Sequence, residues 1–210
     1  MEKTFAFCAN NSIDKRTDLD WFNRYITLAE DVSNKTMQDL WAKILAGELS
    51  RPGSYSLKAL KVFRDMSITD AKLLAKACSL AVKDQSKKNI RIVSGTYQQP
   101  GLFNFLNKDR QSYINLSHFG LNYADILSLA DNHLLYQQES ESSMIASGET
   151  LNLNYNGVLL KLTGKKQNTA IQFYKFTPIG TELAHLISDK PNDDFLAMLK
   201  QQLSHHFEIN

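Results

Sequence analysis

Cysteine is almost missing from this chain of 210 residues, which holds only Cys8 and Cys78. One pair builds no disulfide framework, and neither residue has the spacing of a zinc ligand, so a reducing cytoplasm is the expected compartment and no metal is expected. Glycine and proline are sparse too, at 9 and 4 residues. Gly164-Lys165-Lys166 is no Walker loop, because the earlier Gly157 is at the wrong distance and no Ser or Thr follows the lysine. No apolar run approaches the roughly 20 residues that cross a bilayer, and the apolar part of residues 1–9 is too short for a signal peptide. Neither sign of charge dominates, with Lys+Arg 24 against Asp+Glu 22. What is present is a chain 43% hydrophobic, long enough to bury roughly 70% of its extended surface as one compact unit or two small packed lobes.

Apolar periodicity predicts helices near 18–30, 33–46, 55–66 and 69–83. In the second, Ser33 is the expected cap, Val32 and Met37 the hydrophobic staple, and Leu40, Trp41, Ile44 and Leu45 the buried stripe. Gly47 is read as a left-handed stop, and Pro52-Gly53 blocks continuation until Ser54 or Ser56 opens the next helix. Ser67 or Thr69 caps the fourth. The interior of this half is expected to contain Leu57, Leu60, Phe63, Leu73, Leu74, Ala77, Cys78 and Leu80. Trp21 and Trp41 read as core residues, and Cys78 as a packed thiol rather than a nucleophile.

Two groups of residues carry a family resemblance. The first comprises Asp20-Trp21-Phe22, Val32-Ser33, Met37-Gln38, the run from Leu40-Trp41-Ala42 to Ala46-Gly47-Glu48, and Pro52-Gly53-Ser54-Tyr55-Ser56. The second, more degenerate, comprises Asn115-Leu116-Ser117-His118-Phe119 and Phe176-Thr177-Pro178-Ile179-Gly180-Thr181-Glu182-Leu183-Ala184. Together they resemble an uncharacterised bacterial family of domains of unknown function, over roughly residues 18 to 190. The resemblance implies no activity.

Beyond the fourth helix, Ile90-Arg91-Ile92-Val93 reads as a short strand, Gln98-Gln99-Pro100-Gly101 as a turn, and 102–115 has no clear period. From residue 116 the order resembles a winged helix. A helix covers 123–131, Leu134-Leu135-Tyr136 is a first strand, and strands follow at 151–155, 158–162 and 170–176, the first two joined by Asn156-Gly157, a tight-hairpin signal. The segment 139–150 reads as a mobile loop, Thr177-Pro178 opens a short helix, and a last helix at 193–203 docks through Phe195, Leu196, Leu199 and Leu203. The expected fold is therefore mainly α with a smaller α/β part: an N-terminal helical bundle, then a winged-helix-like portion with a three-stranded hairpin or wing and C-terminal helices. Residues 1–17 form an N-terminal extension, 18–95 a helical domain and 96–210 the winged-helix-like domain, or the whole is one compact unit.

Charge separates the halves. Residues 1–105 carry 16 basic and 11 acidic residues, and 106–210 carry 8 and 11. The candidate recognition helix has Asp125 and Asp131 but no Lys or Arg, so it would repel a phosphate backbone. Lys72, Lys76, Lys83 and Lys87, close to one helical face if the helix continues, are better candidates for anion or nucleic-acid contact, together with Lys58 and Lys61 and with Lys161, Lys165 and Lys166 at the wing. The same residues also serve as an ordinary solvated surface.

Chemistry is thin. Glu182 and His185 have a spacing used in di-iron bundles, but the second such pair is missing. Adjacent His205 and His206 point in different directions and read as surface residues, and Asp20 and Glu48 act together only if folding joins them. The sequence thus points to a non-enzymatic cytoplasmic interaction or regulatory module with a protein partner, no cofactor, no membrane span and room for homo-oligomers. The alternative is nucleic-acid binding through the basic face and wing, and a hydrolase built on Glu182 and His185 comes third.

Overall fold

The computed structural model describes residues 18–86, 89–99, 110–187 and 191–210. The N-terminal extension, Cys8, Lys87 and Pro100-Gly101 lie outside them. Helix α1 (Leu19–Ala29) starts where the Asp18 carboxylate accepts the Asp20 amide at 2.8 Å. Helix α2 (Lys35–Ser50) is capped by Asn34, one residue after the expected Ser33, through a 3.1 Å bond from the Met37 amide. It runs through Gly47 rather than stopping there. Gly47 packs against the Tyr55 ring, and a Cβ at this position would sit 2.9 Å from Tyr55 Cε2.

Helix α3 (Leu57–Asp65) begins at the cap Ser56, and α4 (Ile68–Ser79) at a Ser67/Asp70 capping box. A chain of rings joins the first three helices: Trp21 stacks on Tyr25, Tyr25 meets Trp41 edge-on, and Trp41 meets Phe63, at centroid separations of 5.4, 5.4 and 5.2 Å. Polar atoms of the same residues pin the backbone, since Trp21 Nε1 donates to the Tyr55 carbonyl and Tyr25 Oη to the Trp41 carbonyl. Leu57, expected inside, is 41% exposed at the start of α3.

The second half overturns the winged-helix expectation. Eight strands, β1 (Val82–Lys83), β2 (Ile90–Gln98), β3 (Gln111–Tyr113), β4 (Ser140–Glu141), β5 (Thr150–Tyr155), β6 (Val158–Gly164), β7 (Thr169–Lys175) and β8 (Phe207–Ile209), form one antiparallel sheet in the order β4-β7-β2-β1-β5-β6-β8, with β3 also on β2. A large sheet of this kind is at odds with a mainly α fold carrying a small wing. The Asn156-Gly157 hairpin does form, with Tyr155 opposite Val158 and both turn residues at positive φ, 45° and 97°. The third strand of the supposed wing does not join it. Instead, β7 pairs with β2 along seven register positions and with β4 on its other side.

Polar composition concealed the second half of β2, past the strand expected at 90–93. Ser94, Thr96 and Gln98 are buried there: Thr96 Oγ1 lies 2.7 Å from His206 Nδ1 and Gln98 Nε2 donates to the Gln167 carbonyl at 3.2 Å, while Ser94 Oγ has no hydrogen-bond partner among the described residues. Leu134-Leu135-Tyr136 is not a strand but contributes one bridge, Leu135 to Phe176. The expected mobile loop at 139–150 carries β4 and a bridge from buried Ile145 to Thr169.

Helix α5 (Tyr123–Asp131), the supposed recognition helix, follows a 3-10 turn at Leu116–Phe119 and docks on α4, where Asn132 Nδ2 reaches Asp70 Oδ1 at 3.2 Å. Helix α6 (Pro178–Ala184) starts at the expected cap Thr177 with Pro178 in its first turn, and packs on both α3 and α4. Helix α7 (Asp193–Leu203) buries Phe195, Leu199 and Leu203 against the sheet, with Phe195 edge-on to Phe119 at 5.1 Å. A single hydrophobic cluster extends from Trp21 to Phe207 through both layers. Among the described residues no helix is long and apolar enough to cross a membrane.

Candidate functional site

The second group of resemblance-bearing residues meets the first where Glu182 bonds to Ser56. The end of α2 turns back through Arg51-Pro52-Gly53-Ser54-Tyr55 into α3, and α6 closes on that turn from the other side of the sequence. Two carboxylates hold the junction. Glu48, 2% exposed, accepts the amides of Gly53 at 2.6 Å and Tyr55 at 3.0 Å. Glu182, on α6, accepts the amide of Ser56 at 2.7 Å. Each carboxylate thus bonds to main-chain donors, as charge-assisted bonds favour.

Beside this junction lies a cleft of roughly 1110 Å³, walled by the end of α2, the 51–55 turn, the β1–β2 connection, the meeting of Tyr136 with β7, and α6. Among the described residues its lining carries four basic side chains, Lys43, Arg51, Lys83 and Lys175, against one carboxylate, Glu182. These cations come from α2 and the turn that follows it, from β1 and from β7, so the tertiary fold rather than one helix face concentrates them. Tyr136 is 48% exposed, and its amide donates to the Lys175 carbonyl at 2.9 Å, which joins its backbone to the end of β7. Tyr55 lies deeper. Burial pushes its hydroxyl up to about 12, with Arg51 drawing it down and Glu48 and Glu182 adding to the rise. Converging positive charge in a concave, partly desolvated site attracts anions more strongly than the same charges spread over a convex surface.

The lysines singled out from sequence are scattered. Lys58 and Lys61 are exposed on α3, and Lys72 on α4. Lys76 also projects from α4, close to Gly120, and lines a second, more open hollow with His118 and Asp194. Helix α4 ends at Ser79, so Lys83 belongs to β1 and enters the cleft. Lys87 lies outside the described residues. Lys161 is exposed on β6, Lys165 donates to the Ser204 carbonyl at 2.8 Å, and Lys166 sits half-buried in the β6–β7 turn. Trp21 and Trp41 are core residues, whereas Gly47, Pro52 and Gly53 shape the turn that carries Arg51.

Lys43, Arg51, Tyr136 and Lys175 escaped the sequence reading. Arg51 and Lys175 do flank the two resemblance segments, at Pro52 and Phe176, and that adjacency was the available signal. Glu182 and His185 both line the cleft, Glu182 bonded to Ser56 as described. Asp20 is exposed at the start of α1, while Glu48 is buried in the turn. His206, expected on the surface, is fully buried beside Thr96.

The chain matches the model of the family described as "Protein of unknown function (DUF2806)" over residues 1–200. No curated protein and no solved structure matches the chain.

Proposed function

We propose that this chain, which belongs to the DUF2806 family of proteins of unknown function, is a non-enzymatic binding module that takes an anionic segment of a partner molecule into the cleft between α2, α6 and the sheet. The observation that carries this reading is the convergence of Lys43, Arg51, Lys83 and Lys175 around a single lining carboxylate. Their separate origins in sequence favour a shaped site over a merely soluble surface. Both carboxylates at the junction bond to backbone amides, Glu48 to Gly53 and Tyr55, Glu182 to Ser56. That supports a structural task for them rather than acid or base catalysis by Glu182 with His185.

In this reading the protein works in a bacterial cytoplasm, as its sparse cysteine suggests, and regulates or tethers its partner. Binding to the folded state alone raises thermal stability. A polyanion such as heparin at low salt should therefore raise the Tm of the protein, and the Arg51→Glu/Lys175→Glu variant should lose that rise. An equal rise in both proteins refutes the assignment of the cleft.

A further inference from the structure

We infer that the anionic partner is a single-stranded nucleic acid, whose backbone lies along the basic lining while a base stacks on Tyr136. This inference rests on the cleft being an anion site and adds to it the class of ligand. Three observations carry it. The first is an exposed aromatic side chain in a basic lining: Tyr136 is half-exposed and lines the cleft together with Lys175, to whose carbonyl its amide donates at 2.9 Å. Aromatic side chains beside a positively charged groove are the recurring means by which single strands are held without sequence preference, each base offering a face and each phosphate a charge.

The second is the form of the basic surface. Lys43 stands midway along α2, Arg51 in the turn after it, Lys83 on β1 and Lys175 at the end of β7, so the charges line a concave cleft of roughly 1110 Å³ rather than a straight helix face. A flexible single strand can follow that path. A duplex requires an element that enters its groove, and the helix expected to do so, α5, is docked on α4 and carries Asp125 and Asp131.

The third is the polar remainder of the lining. Ser50 and Thr181 supply hydroxyl groups among the cations, suited to phosphate oxygens, sugar hydroxyls and base edges, while Ser54 donates to the Arg51 carbonyl and Ser86 and Asn89 to the Asp84 carboxylate. An acidic peptide would satisfy the charges, but its carboxylates make no use of the exposed Tyr136 ring in the lining.

The test is fluorescence anisotropy with the full chain and three labelled probes at matched length and low salt: a mixed-sequence single-stranded DNA of about twelve nucleotides, within the span of known single-strand sites, its abasic counterpart, and poly-glutamate. The single strand should bind about tenfold more tightly than the abasic backbone, in line with the measured worth of one stacked base. Tyr136→Ala should lose that tenfold advantage while Tyr136→Phe keeps it, and circular dichroism of each variant should be unchanged because the ring is at the surface. Equal affinity for the intact and abasic strands, or an unaffected Tyr136→Ala, overturns the stacked strand but leaves an anion-binding cleft. Poly-glutamate bound as tightly as the intact strand overturns the nucleic-acid assignment in favour of an acidic protein segment. Failure of all three probes to bind overturns both the inference and the reading on which it rests.

Discussion

The carboxylate of Glu182 accepts the main-chain amide of Ser56 at 2.7 Å across 126 positions of sequence. This bond ties the cap of α3 to α6 and so fixes the two walls of the cleft against each other. Glu182→Ala removes a charge-assisted bond in a half-exposed setting, where about 1.5 kcal/mol is expected. Urea unfolding should show a lower midpoint with an unchanged slope. Glu182→Gln, which retains a carbonyl acceptor, should recover part of the loss.

Glu48 organises the 51–55 turn from within. Its carboxylate satisfies the Gly53 and Tyr55 amides at once, and Tyr55 is itself 6% exposed. Glu48→Ala leaves those donors without their partner in a site with little access to water, at a cost of about 2–3 kcal/mol. The same variant should bind a polyanion more weakly, because Arg51 rides on the turn. A turn variant with normal stability and normal binding contradicts this role.

Two glycines distinguish a soft contact from a hard one. A Cβ at Gly180 would fall on the Leu134 carbonyl oxygen, a main-chain atom that already accepts the Thr177 amide at 3.0 Å. Gly180→Ala should cost about 3 kcal/mol, the upper end of overpacking penalties. Gly47→Ala meets the edge of the Tyr55 ring instead, and gains about 1 kcal/mol of helix propensity in return, so its net loss should be smaller. Thermal unfolding of the two variants side by side gives the order.

Much of the helical layer and the strands expected at 151–155, 158–162 and 170–176 were legible in the sequence, and the pairing of the strands into one large sheet was not, for one physical reason. Caps, turns and apolar stripes are local: Thr177-Pro178, Asn156-Gly157 and the Leu40, Trp41, Ile44, Leu45 stripe announce themselves within a few residues. The pairing of β7 with β2 joins segments far apart in sequence, and no local pattern states it. The second half of β2 was further disguised because Ser94, Thr96 and Gln98 are polar yet buried, the last two with partners, His206 and Gln167, that only the fold supplies. The cleft failed to show for the same reason. Its cations stand on α2, the turn after it, β1 and β7, whereas a scan along the sequence rewards runs such as Lys72 and Lys76 on one helix.

Buried tyrosines set the alkaline limit of stability. Burial pushes both Tyr25 and Tyr55 up to about 12, against an ordinary value near 10. A raised folded-state value means that the folded chain holds these protons when the unfolded chain has released them. Their contribution is therefore complete below about pH 10 and is lost as pH rises toward 12. Stability measured by urea should fall through that window, and the Tyr25→Phe/Tyr55→Phe variant should fall less steeply. An identical slope in the variant contradicts the assignment.

The most direct test of the cleft is the salt dependence of heparin binding in three proteins: the parent chain, an Arg51→Gln/Lys175→Gln variant, and a Lys58→Gln/Lys61→Gln/Lys72→Gln variant altered on the outer helices. Removing two cleft charges should make the slope of log affinity against log salt shallower by about one for each charge, while the outer-helix variant keeps the parent's slope. A cleft variant with the parent's slope, or an outer-helix variant that loses at least as much, would contradict the account.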